Sequence, residues 1–373
     1  MKTTLGGYFN SRTMYKKGKF FIFFYFLFFL QNLCSTLAFN EAGVPSDIWE
    51  ECFGQPTQDH TDITNNTKPT ISSDFFLFSS EFKDFSDNVI NCEKNSIKLL
   101  HSICTYSNIN RPSGNGGCIY FSCSSSIVQD RFCSFKCYTK DYGKHSYTYV
   151  KTNTNKNVVN LTSLYQCGHD YTGSASIYHN YGLQSLISTN NTKTRCRDYA
   201  GYYFLNSPVN INYCCFISND NHESNYVCMY HYKTPDSFVK KSLFRNNSCY
   251  TSNSYYGLIT SSYSSSNVTV SECIFLKNKA SNTFSAYSAI ITVINCTGDV
   301  LTASSYDASV YTNEMKVCSF DLTLSLHALG SCEASPISFE LILCLSKHKK
   351  KHFFGFLLSF NFSLECFINI SRK

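Results

Sequence analysis

Short apolar and aromatic runs of four to six residues recur along this chain, separated by loops rich in Ser, Asn and Tyr. Six of them align on one position: Phe135 in CSFKC, Tyr165 in SLYQC, Ile187 in SLISTN, Phe216 in CCFISN, Phe244 in SLFRNN and Phe275 in CIFLKN. Their separations are 30, 22, 29, 28 and 31 residues. Two residues before each stands Cys133, Ser163, Ser185, Cys214, Ser242 or Cys273, and three residues after the last four stands Asn190, Asn219, Asn247 or Asn278. A second track runs out of phase with the first, through GGCIYF, SYTYV, SASIY, GYYF, NYVCMY, YGLI and YSAII, centred on Ile119, Tyr149, Ile177, Tyr203, Cys228, Leu258 and Ala289.

Two strand tracks sharing one period of about 28 residues predict a repeat architecture. Hairpin folds place turn signals every 8–12 residues and give no such long interval. A right-handed parallel β-helix does: each coil lays its strands on the faces of a prism, and the next repeats them about 4.8 Å further along the axis. Residues two apart share a face of a strand, so the motif aromatic and the Cys or Ser before it both point inward. Asn tolerates left-handed backbone and suits a stacked corner. The expected fold is all-β, a pectin-lyase-like solenoid of about seven coils over residues 105–330. A leucine-rich repeat competes only through LQSLISTNN, and a β-sandwich or barrel is the other alternative.

The ends read differently. Arg12, Lys16, Lys17 and Lys19 precede the eleven apolar residues Phe20 to Leu30, and small residues follow to Ala38. That order predicts a secretory signal over 1–38 with cleavage after Ala38, an uncleaved signal anchor being the rival. Residues 39–104 show no period and read as an N-terminal cap. The tail, 331–373, joins the basic run Lys347 to His352 to an apolar stretch, Phe353 to Ile370. That stretch barely reaches bilayer length and contains Asn361 and Glu365. Either end offers a membrane contact.

Composition narrows the function. Charged residues make up 16% of the chain, against roughly a quarter in ordinary domains. The basic excess lies at the ends, leaving residues 39–340 with 21 basic and 25 acidic side chains; nucleic acid is not an expected partner. Twenty Cys in an exported chain raise disulfides as one reading, and small apolar side chains stacked inside a repeat as the other. No C-x-x-C occurs, so neither a zinc ribbon nor a thioredoxin-like site is expected. The sequons at Asn65, Asn160, Asn190, Asn246, Asn267 and Asn295 are candidate glycosylation sites.

The pairing of GGCIY (116–120) with FISN, FRNN and FLKN at 216, 244 and 275 resembles the repeats of chlamydial polymorphic outer-membrane proteins. The Cys- and Tyr-rich style looks closer still to their counterparts among the large surface-protein families of trichomonad parasites. The similarity covers residues 105–300; no segment reads as an autotransporter barrel, so the bacterial export route is not implied. What the resemblance implies is a secreted or cell-surface β-helix acting in adhesion, with host or neighbouring surface proteins or glycans as partners.

Catalysis finds weaker support. Polysaccharide-cleaving β-helices need close acidic pairs or a calcium-binding Asp cluster beside a base, and no D-D pair occurs here. His169 and Asp170, with Arg195 and Arg197 about one coil later, form the one candidate acid–base set. His222, Cys228 and His231 lack a fourth ligand and the usual metal spacing. No catalytic residue, metal or cofactor is expected, and the tyrosines of a flat stacked face offer amphipathic contact to sugars or proteins. A polysaccharide-processing enzyme and a purely structural coat protein are the alternatives.

Overall fold

The computed structural model describes residues 46–55, 60–62, 66–94, 96–168, 171–221, 228–249, 257–299, 301–306 and 310–312. From residue 57 onward they build a parallel β-solenoid. The coil of residues 229–249 serves as its pattern. Strands Met229–Tyr232, Ser237–Lys240, Leu243–Arg245 and Ser248–Cys249 follow one another around the coil. Each pairs in parallel with its counterpart one coil earlier: Tyr202–Leu205, Val209–Asn212, Cys215–Ile217 and Asp220–Asn221. The first face is a nine-stranded sheet, from Ile90–Cys92 to Ala303–Tyr306. The second and third faces share one larger sheet, and short two-residue strands form a fourth ledge.

The chain turns its corners without relying on glycine. Between first and second faces stand Tyr181, Asn206, Lys233, Tyr263 and Ser288, all with positive φ. Ile103, Arg131, Leu161, Ser188, Tyr213 and Lys241 do the same between second and third faces; Asn108, Lys136, Gln166, Lys193, Ser218 and Asn246 do so between third face and ledge. A left-handed residue costs an L-amino acid roughly 1–2 kcal/mol. Here its N–H is satisfied across coils: Lys136 N donates to Tyr165 O at 3.0 Å, Lys193 N to Ile217 O at 2.9 Å and Asn246 N to Leu276 O at 2.9 Å. The same bend is thereby repeated, one layer above another.

Inside, equivalent positions stack. Phe216 pairs in register with Phe244, and Phe244 with Phe275. Their ring centroids lie 4.9 and 4.7 Å apart with planes 3° and 7° off parallel, and all three are fully buried. Two residues earlier runs a second inward column, Cys214, Ser242, Cys273 and Cys296, and three residues after the aromatic comes Asn219, Asn247 and Asn278. Cys214, Cys273 and Cys296 are free thiols packed in the core, so in this column cysteine acts as a small apolar side chain.

The register corrects several expected members of the stack. Phe135 pairs with Tyr165, their rings 5.7 Å apart, but Tyr165 pairs onward with Thr192 and not Ile187. The inward residues of those coils are Ser134, Leu164 and Asn191, which continue the column of Phe216. Phe135 and Tyr165 therefore stack on the outer side. Ile187 sits on the second face against Asn160 and Asn212. Cys133 shares its register position with Ser163, Asn190 and Cys215, not with Cys214 or Cys273. Asn190 is thus absent from the asparagine column. The match at CSFKC was one residue out of frame, and one residue exchanges inside for outside.

The boundaries also differ from expectation. Parallel pairing already joins Phe75–Phe78 to Leu99–Ser102, and Leu99–Ser102 to Ile127–Asp130. Coils thus occupy part of the stretch read as an aperiodic cap. The first face has nine strands where about seven coils were expected, one extra, Ile90–Cys92, lying in that stretch and the other, Ala303–Tyr306, beyond the last expected centre. YSAII straddles a corner at Ser288, between Asn282–Tyr287 and Ile290–Ile294. Residues 46–53 form a helix in a separate unit, where Trp49 packs on Phe53 at 4.5 Å, one helical turn apart. Residues 1–38 and 331–373, including Ala38, the apolar tail and the expected solenoid end at 330, lie outside the described residues.

Candidate functional site

On the outer side of the first face, one register position is tyrosine in five consecutive coils. Tyr120 pairs with Tyr147, Tyr147 with Tyr178, Tyr178 with Tyr203 and Tyr203 with Tyr230. Each follows an inward residue of its strand: Ile119, Ser146, Ile177, Tyr202 and Met229. Alternation along the strand therefore sets all five on the outer side, where Tyr120, Tyr147 and Tyr203 are partly exposed while Tyr178 and Tyr230 are covered by their neighbours to 8% and 7% exposure. Centroid distances along the column are 5.4, 4.5, 4.9 and 5.0 Å. The first two pairs are stacked and the last two edge-on. Four coil spacings make a strip about 19 Å long.

Further tyrosines widen it. Tyr142, 42% exposed, lies 5.2 Å from Tyr178, while Tyr199 lies 4.7 Å from Tyr203 and 5.0 Å from Tyr230. Burial, then neighbouring phenols, push Tyr147, Tyr178 and Tyr203 above the ordinary tyrosine range. These three phenols are thus held neutral, and the strip is a partly covered aromatic surface carrying hydroxyls. Such side chains supply large contact area at little conformational cost. The sequence carried the signal: the second residue of IYFSC, SYTYV, IYHN, YYFL and MYHY is Tyr each time. The expected second track centred on Tyr149 and Tyr203 without separating inward from outward positions, so the column was missed.

A second surface feature runs parallel to the axis at the corner between third face and ledge. One row consists of the left-handed corner residues Asn108, Lys136, Gln166, Lys193 and Ser218; the other, two residues further along each coil, of Asn110, Tyr138, Gly168, Arg195, Asp220 and Ser248. Between them lies a groove of about 800 Å³. Lys136 sits over Phe135 at 4.7 Å, and Lys193 over Tyr165 at 5.2 Å while donating to its hydroxyl at 3.0 Å. Asp220 accepts from Tyr171 at 2.8 Å and from Ser248 at 2.6 Å.

Of the candidate acid–base set, His169, Asp170 lie outside the described residues. Arg195 lines the groove, and Arg197 meets Asp198 at 3.2 Å in an ion pair more than half exposed on the arginine side. His222 also lies outside the described residues. Cys228 and His231 are fully buried, and His231 Nδ1 engages the Thr234 hydroxyl at 3.2 Å. Among the described residues no group of three His, Cys, Asp or Glu is placed to hold a metal ion.

Of the sequons, Asn246 and Asn295 stand at exposed left-handed corners. Asn160 donates to Asp130 at 3.0 Å, and Asn190 is partly buried within a strand; Asn267 opens the strand Asn267–Ser271. Asn65 lies outside the described residues. Among the described residues no helix is long and apolar enough to cross a membrane. No family model, curated protein or solved structure matches this chain.

Proposed function

We propose that the protein is a non-catalytic binding solenoid, secreted or displayed at the cell surface, which holds glycans or proteins of host or neighbouring surfaces on its tyrosine strip. The five-tyrosine column carries the reading. A core needs inward residues, yet this column lies on the outer side, is aromatic in five successive coils and leaves Tyr120, Tyr147 and Tyr203 partly exposed, flanked by the exposed Tyr142. An outward apolar strip of this kind is the feature expected of an interaction face. The basic leader followed by an apolar run supports export, and the GGCIY and F-x-x-N repeats support a place among right-handed β-helix surface proteins. The helix crossover rule favours the same hand for parallel strands. On this reading the solenoid is a rigid ruler that holds the partly exposed Tyr120, Tyr147 and Tyr203 at spacings fixed by the coils, so affinity comes from several small aligned contacts.

The test is binding of the purified full chain to arrays of neutral and acidic glycans and to intact cells. A Tyr147→Ala/Tyr203→Ala variant that unfolds normally should lose ten-fold or more in affinity. Unchanged binding by that variant overturns the assignment of the strip. Turnover of any polysaccharide by the full chain would favour the enzyme reading instead. Tagging the two termini separately and labelling intact cells tests display at the exterior.

A further inference from the structure

We propose a second binding site, the groove at the corner between third face and ledge, for a linear acidic glycan in which charged and neutral sugars alternate. It lies apart from the tyrosine strip and does not depend on it. Three exposed cations line the groove. Lys193 and Arg195 stand at the same coil in opposite rows, and Lys136 stands two coils away in the row of Lys193. Two coils correspond to about 10 Å along the axis. Charge recurs at that order of distance in glycans that carry one carboxylate or sulfate on every second sugar.

The coil between the cations is built for something neutral. Its corner residue is Gln166, an amide able both to donate and to accept. Its partner in the other row is Gly168, at φ +78°, where a Cβ would lie 2.2 Å from the Arg195 carbonyl oxygen. The glycine lets the backbones of the two coils pack closely, so between Tyr138 and Arg195 this row presents main chain and no charged side chain. Beyond Lys136, Asn108 and Asn110 add two further amides suited to hydroxyl groups.

Asp220 sets the other end. Its carboxylate is engaged by the Tyr171 and Ser248 hydroxyls and leaves the positive stretch bounded at Lys193 and Arg195. The phenol ring of Tyr171 lies 5.7 Å from the Arg195 guanidinium, and the rings under Lys136 and Lys193 hold those ammonium groups along the groove. The arrangement is charge, neutral gap, charge, stop. A nucleic-acid strand carries its phosphates at closer intervals and gains from a longer basic track than this one.

The test uses the purified full chain and a hexasaccharide of alternating uronic acid and N-acetylhexosamine, with the same hexasaccharide reduced at its carboxyl groups as comparator. The acidic form should bind at least ten-fold more tightly than the reduced form and lose that advantage as salt rises. Lys136→Gln/Lys193→Gln/Arg195→Gln should abolish the ten-fold preference, while Lys277→Gln/Lys240→Gln, outside the groove, should keep it. Thermal unfolding of each variant checks that the solenoid is intact; if the triple variant fails to fold, Lys193→Gln alone is read in its place. Absent binding of the acidic hexasaccharide overturns the proposal. So does equal affinity for polyglutamate or a single-stranded oligonucleotide, or an unchanged preference in the groove variant.

Discussion

Asn247 donates its side-chain amide to the carbonyl of Phe216, one coil away, at 2.8 Å. Its Oδ1 simultaneously accepts from the backbone N–H of Asn219 at 3.1 Å and from that residue's Nδ2 at 3.1 Å. Asn278 repeats the pattern on Asn247 at 3.0 Å and on the Phe244 carbonyl at 2.9 Å. The amide has replaced water for buried main-chain groups at a corner where the strand ladder stops, which an apolar residue could not do.

Removing that amide therefore strips more than one contact. Asn247→Ala leaves the Phe216 carbonyl and the Asn219 N–H buried without their partner, at about 1–3 kcal/mol each. Asn190→Ala, at a position outside the column, should cost under about 1 kcal/mol, in the range of ordinary substitutions. Urea unfolding midpoints of the two variants check the ranking; equal shifts would contradict the ladder.

Acid should weaken the fold through its buried histidines. Desolvation pushes His101, His179 and His231 down to about 3, and His145 well below its ordinary value, with the neighbouring His101 adding to the effect. In the unfolded chain they titrate near 6.5. Above about pH 6.5 both states are neutral and these residues add no pH dependence. Between about 6.5 and 3 the unfolded chain takes up protons that the folded one refuses. Stability then falls by up to about 1.4 kcal/mol per pH unit for each histidine. His179, both of whose ring nitrogens are buried without a hydrogen-bond partner, is the one to replace: His179→Leu should flatten the slope of unfolding free energy against pH.

Gly201 marks a point of closest approach between coils. A Cβ there would stand 1.9 Å from the Cys228 carbonyl oxygen, which is backbone and cannot swing aside. Gly201→Ala should destabilise by about 1–3 kcal/mol or more, the range for overpacked sites. Gly54, with nothing within 4 Å of the added carbon, has no such steric conflict. Thermal melts of Gly201→Ala and the parent chain measure the difference.

Within the tyrosine column, the ring and the hydroxyl of Tyr147 both meet neighbouring tyrosines. Tyr147 stacks on Tyr120 and on Tyr178, so Tyr147→Ala removes two aromatic pairs worth roughly 0.5–1.5 kcal/mol each. Tyr147→Phe keeps the stack and loses only the hydroxyl's contact with Tyr178, so it should shift the unfolding midpoint less than Tyr147→Ala while lowering affinity for a hydroxyl-bearing ligand. Equal loss of stability in both variants would show that the hydroxyl, not the ring, holds the column.

If the chain passes through a secretory route, glycans should be added at Asn246 and Asn295, whose corners are exposed, in preference to Asn190, which lies partly buried inside the ten-residue strand Leu183–Thr192. Mass spectrometry of glycopeptides from chain expressed in a glycosylating eukaryotic host reads this directly. Occupancy at Asn190 equal to that at Asn246 would contradict the burial argument.

The period of about 28 residues, and with it the stacking of coils, was legible in the sequence alone. Phe216, Phe244 and Phe275, followed by Asn219, Asn247 and Asn278, repeat in one frame because an identical layer must present identical side chains to the next. Translation between layers is a property of the repeat and survives in one dimension. Phase is not. Whether Ser134 or Phe135 points inward depends on which residue the corner at Arg131 delivers to the core, and a one-residue shift exchanges the two faces of a strand. The tyrosine column and the groove likewise exist only when residues a coil apart become neighbours about 4.8 Å distant, a proximity that no local stretch of the chain encodes.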